Sequence, residues 1–262
     1  MINGADFLHA ALCGWTATLG LAAATWILSV VKRDVSIVDS VWSILIVLGA
    51  FTFAVALPTP GPRAAWLTLV AALWAARLAG YITWRNWGEP EDHRYQAIRA
   101  RNEPHFALKS LGLIFVLQGL LAAIVALPLQ AAYASDAAVN RLDLAGVAVC
   151  VFGIVFEAVG DGQLARFKAD PANRGRVMDR GLWRYTRHPN YFGEFCTWWG
   201  FWLIALAAGA WWSIVSPLLM SVLLLKVSGV ALLEKDIGER RPAYRDYVAR
   251  TSAFFPRPPR PS

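Results

Sequence analysis

The residues best placed to do chemistry cluster around Arg187. Arg187, Asn190, Tyr191 and Glu194 fall at i, i+3, i+4 and i+7, so on a helix they form one polar face. Pro189 suits a helix start, where the first N–H groups lack partners within the helix. Upstream, Arg166, Lys168, Arg174, Arg176, Arg180 and Arg184 make the Gly-rich stretch from Gly160 to Gly200 strongly basic. Free helix N–H groups beside several guanidinium groups are suited to phosphate. Asp161 and Glu194 can accept hydrogens from ribose hydroxyls or amides. The positive-inside rule alone would explain Lys and Arg in a loop, but not Asn190 and Glu194 carrying the stripe into an apolar helix. The expectation is a cofactor site.

A second set lies inside apolar segments, where an ionisable group costs about 2.5–3.5 kcal/mol on insertion scales. Asp39 opens one such segment. Arg77 and Tyr81, four apart, share a helix face in the next. Asp39 and Arg77 fit either an ion pair between helices or a substrate role. Glu157 and Asp161 share a face near a membrane edge, where a solvated carboxylate costs little. Lys226 is placed to snorkel to the interface. Trp42 and Trp74 read as packing residues, and His9 and His105 offer no constellation.

These residues need a frame, and the composition supplies it. Of 262 residues, 57% are hydrophobic and 16% charged, with a mean hydropathy of +0.43; soluble chains carry about 25% charged residues. Thirteen Trp suit membrane interfaces. A helix crosses a bilayer in about 20 apolar residues. Seven segments qualify: roughly 7–31, 38–58, 64–84, 108–130, 142–161, 191–209 and 211–233. The expected fold is all-α, an integral membrane protein of seven transmembrane helices. It forms one domain over 1–262, with 142–262 as its cofactor-binding half. With the N-terminus outside, the inside segments hold 21 of the 25 Lys and Arg. These are Lys32 and Arg33, five between Arg85 and Lys109, seven between Arg166 and Arg187, and seven after Glu234. The asymmetry predicts an outside N-terminus and a cytoplasmic C-terminus in the inner (cytoplasmic) membrane. The net charge of +7 is thus topology and an anionic ligand rather than nucleic acid, and no obligate protein partner is evident. Cys13, Cys150 and Cys196 all lie in apolar stretches and read as free thiols. The N-terminus lacks the basic region of a cleavable signal peptide.

The segment from Gly160 onward resembles the C-terminal domain of the steroid 5-alpha-reductase family. The resemblance rests on Asp161, the Gly181-Leu182-Trp183-Arg184-Tyr185 run, Asn190, Gly193-Glu194, and Tyr244 with Tyr247. It covers about 142–256 well and the earlier chain weakly. It implies seven spans, NADPH, and reduction of a carbon–carbon double bond conjugated to a ketone. Asp161, Lys168, Arg176, Asn190 and Glu194 match family positions that hold the nucleotide or shape its pocket. Arg180, Tyr185, Arg187, His188, Tyr191, Glu234 and Tyr244 join them as candidate cofactor contacts. The family's Tyr-x-x-Arg-x-x-x-Tyr pattern reads Trp74, Arg77, Tyr81 here, and Asp39 stands where the family has Glu. Asp39, Arg77 and Tyr81 are the candidate catalytic residues. The substrate would be a lipophilic molecule reaching the site from membrane lipid.

Arg187-His188-Pro189-Asn190-Tyr191-Phe192-Gly193 is also similar to the isoprenylcysteine and phospholipid methyltransferases, which bind S-adenosylmethionine, with Glu234 matching their late glutamate. S-adenosylmethionine is a cation with one carboxylate, whereas NADPH carries a pyrophosphate and a 2′-phosphate. The basic excess between Arg166 and Arg187, opposed only by Asp170 and Asp179, favours NADPH. No G-x-G-x-x-G turn is present, so no Rossmann site is expected. A lipid-binding or transport protein, with Asp39 and Arg77 lining a path and no nucleotide, is the non-enzymatic alternative.

Overall fold

Asn3 starts the first helix: its Oδ1 accepts from Asp6 N at 2.8 Å. This helix, α1 (Gly4–Lys32), ends where Arg33 turns to φ 55° and its N–H caps Ser29 and Val30 carbonyls. The computed structural model describes residues 3–227 and 243–260. After α1 come α2 (Ile37–Ala56), α3 (Ala64–Asn86), α4 (His93–Asn102) and the helical segment α5 (Phe106–Val125), with a π-turn at Leu111–Val116. Next are α6 (Leu127–Tyr133), α7 (Arg141–Ala169), α8 (Pro189–Ala207), α9 (Val215–Val222) and α10 (Ala243–Arg250). No strand occurs among the described residues.

Among the described residues, five helices are long and apolar enough to cross a membrane: α1, α2, α3, α5 and α7. They cover the first five expected spans. α7 is 29 residues, so at 1.5 Å per residue it runs about 44 Å and outreaches a hydrocarbon core of about 30 Å. α8 has 19 residues but is outside the five; Asn190, Tyr191 and Glu194 dilute its first turns. The seventh expected span begins as a 3₁₀ turn at Trp211–Ile214, α9 and a π-turn at Leu223–Val227, and its remainder lies outside the described residues.

The chain divides into two compact units. Unit 1 comprises Met1–Asn140 with Ala205–Ser213; unit 2 comprises Arg141–Ile204 with Ile214–Ser262. In unit 1, α1 buries small residues at three- to four-residue spacing: Ala10, Gly14, Thr18, Ala22, Thr25 and Ser29. A Cβ on Gly14 would lie 2.6 Å from Gly49 O, so α1 and α2 meet backbone to backbone. Lipid tails give no hydrophobic drive between helices, and close approach of small residues supplies contact instead. Thr18 Oγ1 donates to Leu45 O at 3.2 Å, and Ser43 Oγ to Ala75 O at 3.0 Å, tying α2 to both neighbours. Arg63, fully buried, donates to the carbonyls of Ala137 and Ala138 and pins the segment after α6.

In unit 2 the same device joins α7 to α8. A Cβ on Gly193 would sit 2.6 Å from Glu157 Cβ and from Gly153 O, and one on Gly200 2.6 Å from Cys150 N. Farther along, Gly160 faces Pro189. Gly146, Gly153 and Gly160 recur every seven residues, so one stripe of α7 carries the whole crossing.

Candidate functional site

The glycine crossing in unit 2 brings charged side chains into the protein interior. Glu157 and Asp161 on α7 and Glu194 on α8 are each 4% exposed. Because Gly193 packs on Glu157, Glu194 follows directly from the contact point. Its Oε1 accepts from Trp198 Nε1 at 3.0 Å. Gly160 lies against Pro189 and Asn190 N, which sets Asp161 beside the start of α8. Asn190 Oδ1 is buried and has no hydrogen-bond partner among the described residues. A buried polar atom left so costs about 1–3 kcal/mol, so a donor from a bound molecule would suit it.

Two bonds tie the Leu182–Trp183 turn of the loop before α8 to α7. Gln163 Oε1 accepts from Leu182 N, and Trp183 Nε1 donates to Gly160 O, both at 2.9 Å. Arg187, 7% exposed, is turned toward the C-terminal segment. Its Nη1 donates to Val248 O at 3.1 Å and to Thr251 O, and its N–H to Ser252 O at 2.9 Å. These carbonyls close the end of α10, where a cation is favoured by the helix dipole. Thr186 Oγ1 donates to Phe254 O at 2.7 Å, and Tyr247 Oη to Trp183 O. His188 is buried and stacks on Tyr191, with centroids 5.5 Å apart and rings 4° from parallel. Tyr244 meets Tyr247 edge-on at 5.4 Å.

The remaining expected cations are at the surface: Lys168, Arg176 and Arg180 are exposed, as is Tyr185. The acids among them have other work. Asp170 caps Ala172 N at 2.9 Å, and Asp179 pairs with Arg250 at 3.4 Å. Arg166, Arg174, Arg176, Arg180 and Arg184 make no side-chain hydrogen bond or ion pair among the described residues. Glu234 lies outside the described residues.

In unit 1, α2 and α3 pack together, but Asp39 faces a helix that sequence reasoning did not anticipate. Arg94 Nη2 donates to Asp39 Oδ2 at 2.8 Å, and Tyr95 Oη to Asp39 Oδ1 at 2.6 Å. Both residues belong to α4, whose start is capped by Asp92 Oδ1 accepting from Arg94 N at 2.9 Å. Glu91 extends the strap: it accepts from Val35 N at 2.9 Å and from Arg99 Nη2 at 2.7 Å. Burial and then the Asp39 charge push the Tyr95 phenol upward, so it stays a donor. Burial pushes the Glu91 and Asp92 carboxyls up, but their Arg99 and Arg94 bonds, with backbone donors, outweigh it and hold both below the usual range. The signal for α4 was present: Asp92 as an N-cap ahead of Arg94, Arg99 and Arg101.

Arg77 lies over the Tyr81 ring at 5.7 Å, and Arg85 over the same ring at 5.9 Å. Arg77 and Tyr81 thus form one contact, while Asp39 has its own with α4. None of the three lines the large cleft of unit 1, which takes Ser40, Thr83 and Asn86 from these helices instead.

Comparison with known proteins gives three results. The model of a family described as a protein of unknown function, DUF1295, matches residues 25–251. A Schizosaccharomyces pombe protein, the uncharacterized protein C594.04c, is 27% identical over 290 residues, covering 98% of this chain and 83% of the yeast chain. No solved structure matches this chain.

Proposed function

The chain belongs to the DUF1295 family, and from that premise we propose that it is a membrane reductase that binds NADPH in unit 2 and saturates the C=C bond of an enone in a lipophilic, steroid-like substrate. The observation that carries this reading is the uncompensated charge of the 166–184 segment. Its two acids are engaged elsewhere, leaving five Arg side chains without an anion among the described residues. A pyrophosphate and a 2′-phosphate supply the missing charge, and Arg is the better partner for phosphate because its fork binds two oxygens at once. Arg176 and Arg180 would hold the phosphates, with Lys168 beside them. Asp161 would accept from a ribose hydroxyl, and Asn190 Oδ1 from a carboxamide N–H. Glu194, fixed by Trp198, would line the same end. Bound there, NADPH would supply a hydride to the enone β-carbon.

The chain must also donate a proton and stabilise charge growing on the carbonyl oxygen. A donor aimed at that oxygen typically accounts for about 10²–10³ in rate. Tyr81 is the proposed donor, with the Arg77 cation against its ring. Asp39 has both oxygens engaged by Arg94 and Tyr95, so its part is to fix α4 rather than to donate.

The reading includes seven spans, an outside N-terminus and a cytoplasmic C-terminus in the inner membrane. It is supported by the five apolar helices, by α8, and by the placement of basic residues. A cytoplasm-active reporter fused at Ser262 should give signal, and one fused after Pro60 should not.

One observation favours a second reading. Three buried carboxylates, Glu157, Asp161 and Glu194, would suit the cationic S-adenosylmethionine. Incubating the purified protein with NADPH and a 3-oxo-4-ene steroid separates the two. Loss of NADPH with formation of the saturated ketone supports the reductase. No NADPH oxidation, with S-adenosylmethionine consumed on a lipid acceptor, overturns it.

A further inference from the structure

The ends of α1, α2 and α3 in unit 1 enclose a cleft of about 820 Å³ that the reading above does not use. Its size is that of a small-molecule site. Its long wall is one face of α1, where Leu21, Ala24, Leu28 and Lys32 follow helical spacing over about 16 Å. That wall is apolar until its last turn. The mouth is charged. Lys32, Arg33 and Glu89 line it, and their side chains make no hydrogen bond or ion pair among the described residues. The neighbouring acids are already engaged: Glu91 by Arg99 and Val35 N, Asp34 by Ser36. The mouth therefore offers two cations and one anion beside an apolar trough. The hydroxyls of Ser40 and Thr83 also line it and are likewise without a hydrogen-bond partner among the described residues. Trp87, 81% exposed, stands in the lining as an interfacial Trp does.

A free nucleotide would leave the apolar wall uncovered, and a plain hydrocarbon would leave the charges unmatched. A wholly anionic head would leave Glu89 unanswered. We propose that this cleft is a binding site for a phospholipid with a zwitterionic, primary-ammonium headgroup of the phosphatidylethanolamine type. Its phosphate meets Lys32 and Arg33, its ammonium meets Glu89, and one acyl chain lies along α1 from Leu28 to Leu21. The apolar groove along α7, from Leu144 to Val159, contrasts with it: no charged residue lines that groove, so it holds bulk lipid without selecting a head. The proposal is independent of the cofactor reading.

The test is native mass spectrometry of the delipidated full chain with palmitoyl-oleoyl phosphatidylethanolamine, phosphatidylcholine and phosphatidylglycerol added in turn. The ethanolamine lipid should be retained at least about threefold better than either of the others, since only it offers both a phosphate and N–H donors. Lys32→Ala with Arg33→Ala should lower its binding about tenfold, the loss of two exposed charge contacts. Glu89→Gln should remove the preference over phosphatidylglycerol. Ala24→Trp, at an exposed position, should obstruct the chain and weaken all three lipids. Soluble glycerophosphoethanolamine should not compete. Equal retention of the three lipids by the parent, or unchanged retention in the charge variants, would overturn the proposal. So would full competition by the soluble headgroup, which would leave the trough without a role. NADPH titration of the same variants should match the parent, so failure of the lipid site and failure of the reductase reading are read separately.

Discussion

Trp198 Nε1 donates to Glu194 Oε1 across 3.0 Å, one helical turn apart, with both side chains buried in unit 2. The bond holds the Glu194 side chain in one rotamer. Glu194→Ala would strand a buried indole N–H and should cost about 1–3 kcal/mol of stability. Glu194→Gln keeps an acceptor for Trp198 and should unfold near the parental temperature. If the charge serves the cofactor, the Gln variant should still bind NADPH several-fold more weakly. Parental NADPH affinity in Glu194→Gln would make the residue structural.

Arg187 is the clamp between the start of α8 and the end of α10. Arg187→Ala removes charge-assisted bonds to the carbonyls of Val248 and Thr251, each worth about 1.5–3 kcal/mol when buried. Limited proteolysis should then cut within residues 243–257 under conditions that leave the parent intact. Equal protection would show that the aromatic contacts of Phe254 with Phe192 and Phe195 hold the segment by themselves.

Gly193→Ala tests the crossing of α7 and α8. The added Cβ meets Glu157 Cβ and Gly153 O at 2.6 Å, so the helices must separate. Overpacking of this kind costs about 1–3 kcal/mol. Gly20→Ala, with open space around it, is the control and should be neutral or slightly stabilising.

The α4 strap should release in acid. Glu91 and Asp92 have depressed folded-state values, so their contribution is present above the unfolded values near 4 and is lost as pH falls through the folded ones. The protection of amides in residues 93–102, taken relative to the intrinsic exchange rate at each pH, should be high at neutral pH and fall sharply below about pH 4. Tyr95→Phe should bring the same opening at higher pH by removing a donor to Asp39. A protection factor that is flat with pH would mean the ion pairs do not hold α4.

The Tyr81 assignment is tested by turnover. Tyr81→Phe keeps the ring under Arg77 but removes the hydroxyl. It should lower the rate of enone reduction about 10²–10³-fold with little change in NADPH affinity. A parental rate would remove Tyr81 from the reaction.

The five apolar helices were legible because bilayer thickness imposes a length that a sequence must meet, and α1, α2 and α3 match their expected bounds within a few residues. That Asn190 and Glu194 share one face at the start of α8 follows from their four-residue spacing, and the structure buries Glu194 there. α4 was not anticipated. It is short and polar, and Arg94 and Arg99 count toward membrane orientation whether or not they pair with Asp39 and Glu91. Arg187 shows the same ambiguity. Sequence groups it with the phosphate-binding cations, but its guanidinium closes the end of α10, a contact 61 residues away that no local pattern encodes. The glycine stripe of α7 takes its meaning only from the facing Gly193 and Gly200, which the sequence does not pair with it.

The most direct measurement is equilibrium binding of NADPH, NADH and S-adenosylmethionine to the purified protein, made in parallel on the parent and on Arg176→Ala with Arg180→Ala. Both arginines are exposed, so the variant should fold normally. The account predicts that the parent binds NADPH at least about tenfold tighter than NADH, from one or more charge-assisted contacts to the 2′-phosphate. It also predicts that the preference collapses in the variant and that S-adenosylmethionine does not compete. Equal affinity for the two nicotinamide cofactors, or saturable binding of S-adenosylmethionine alone, would contradict it.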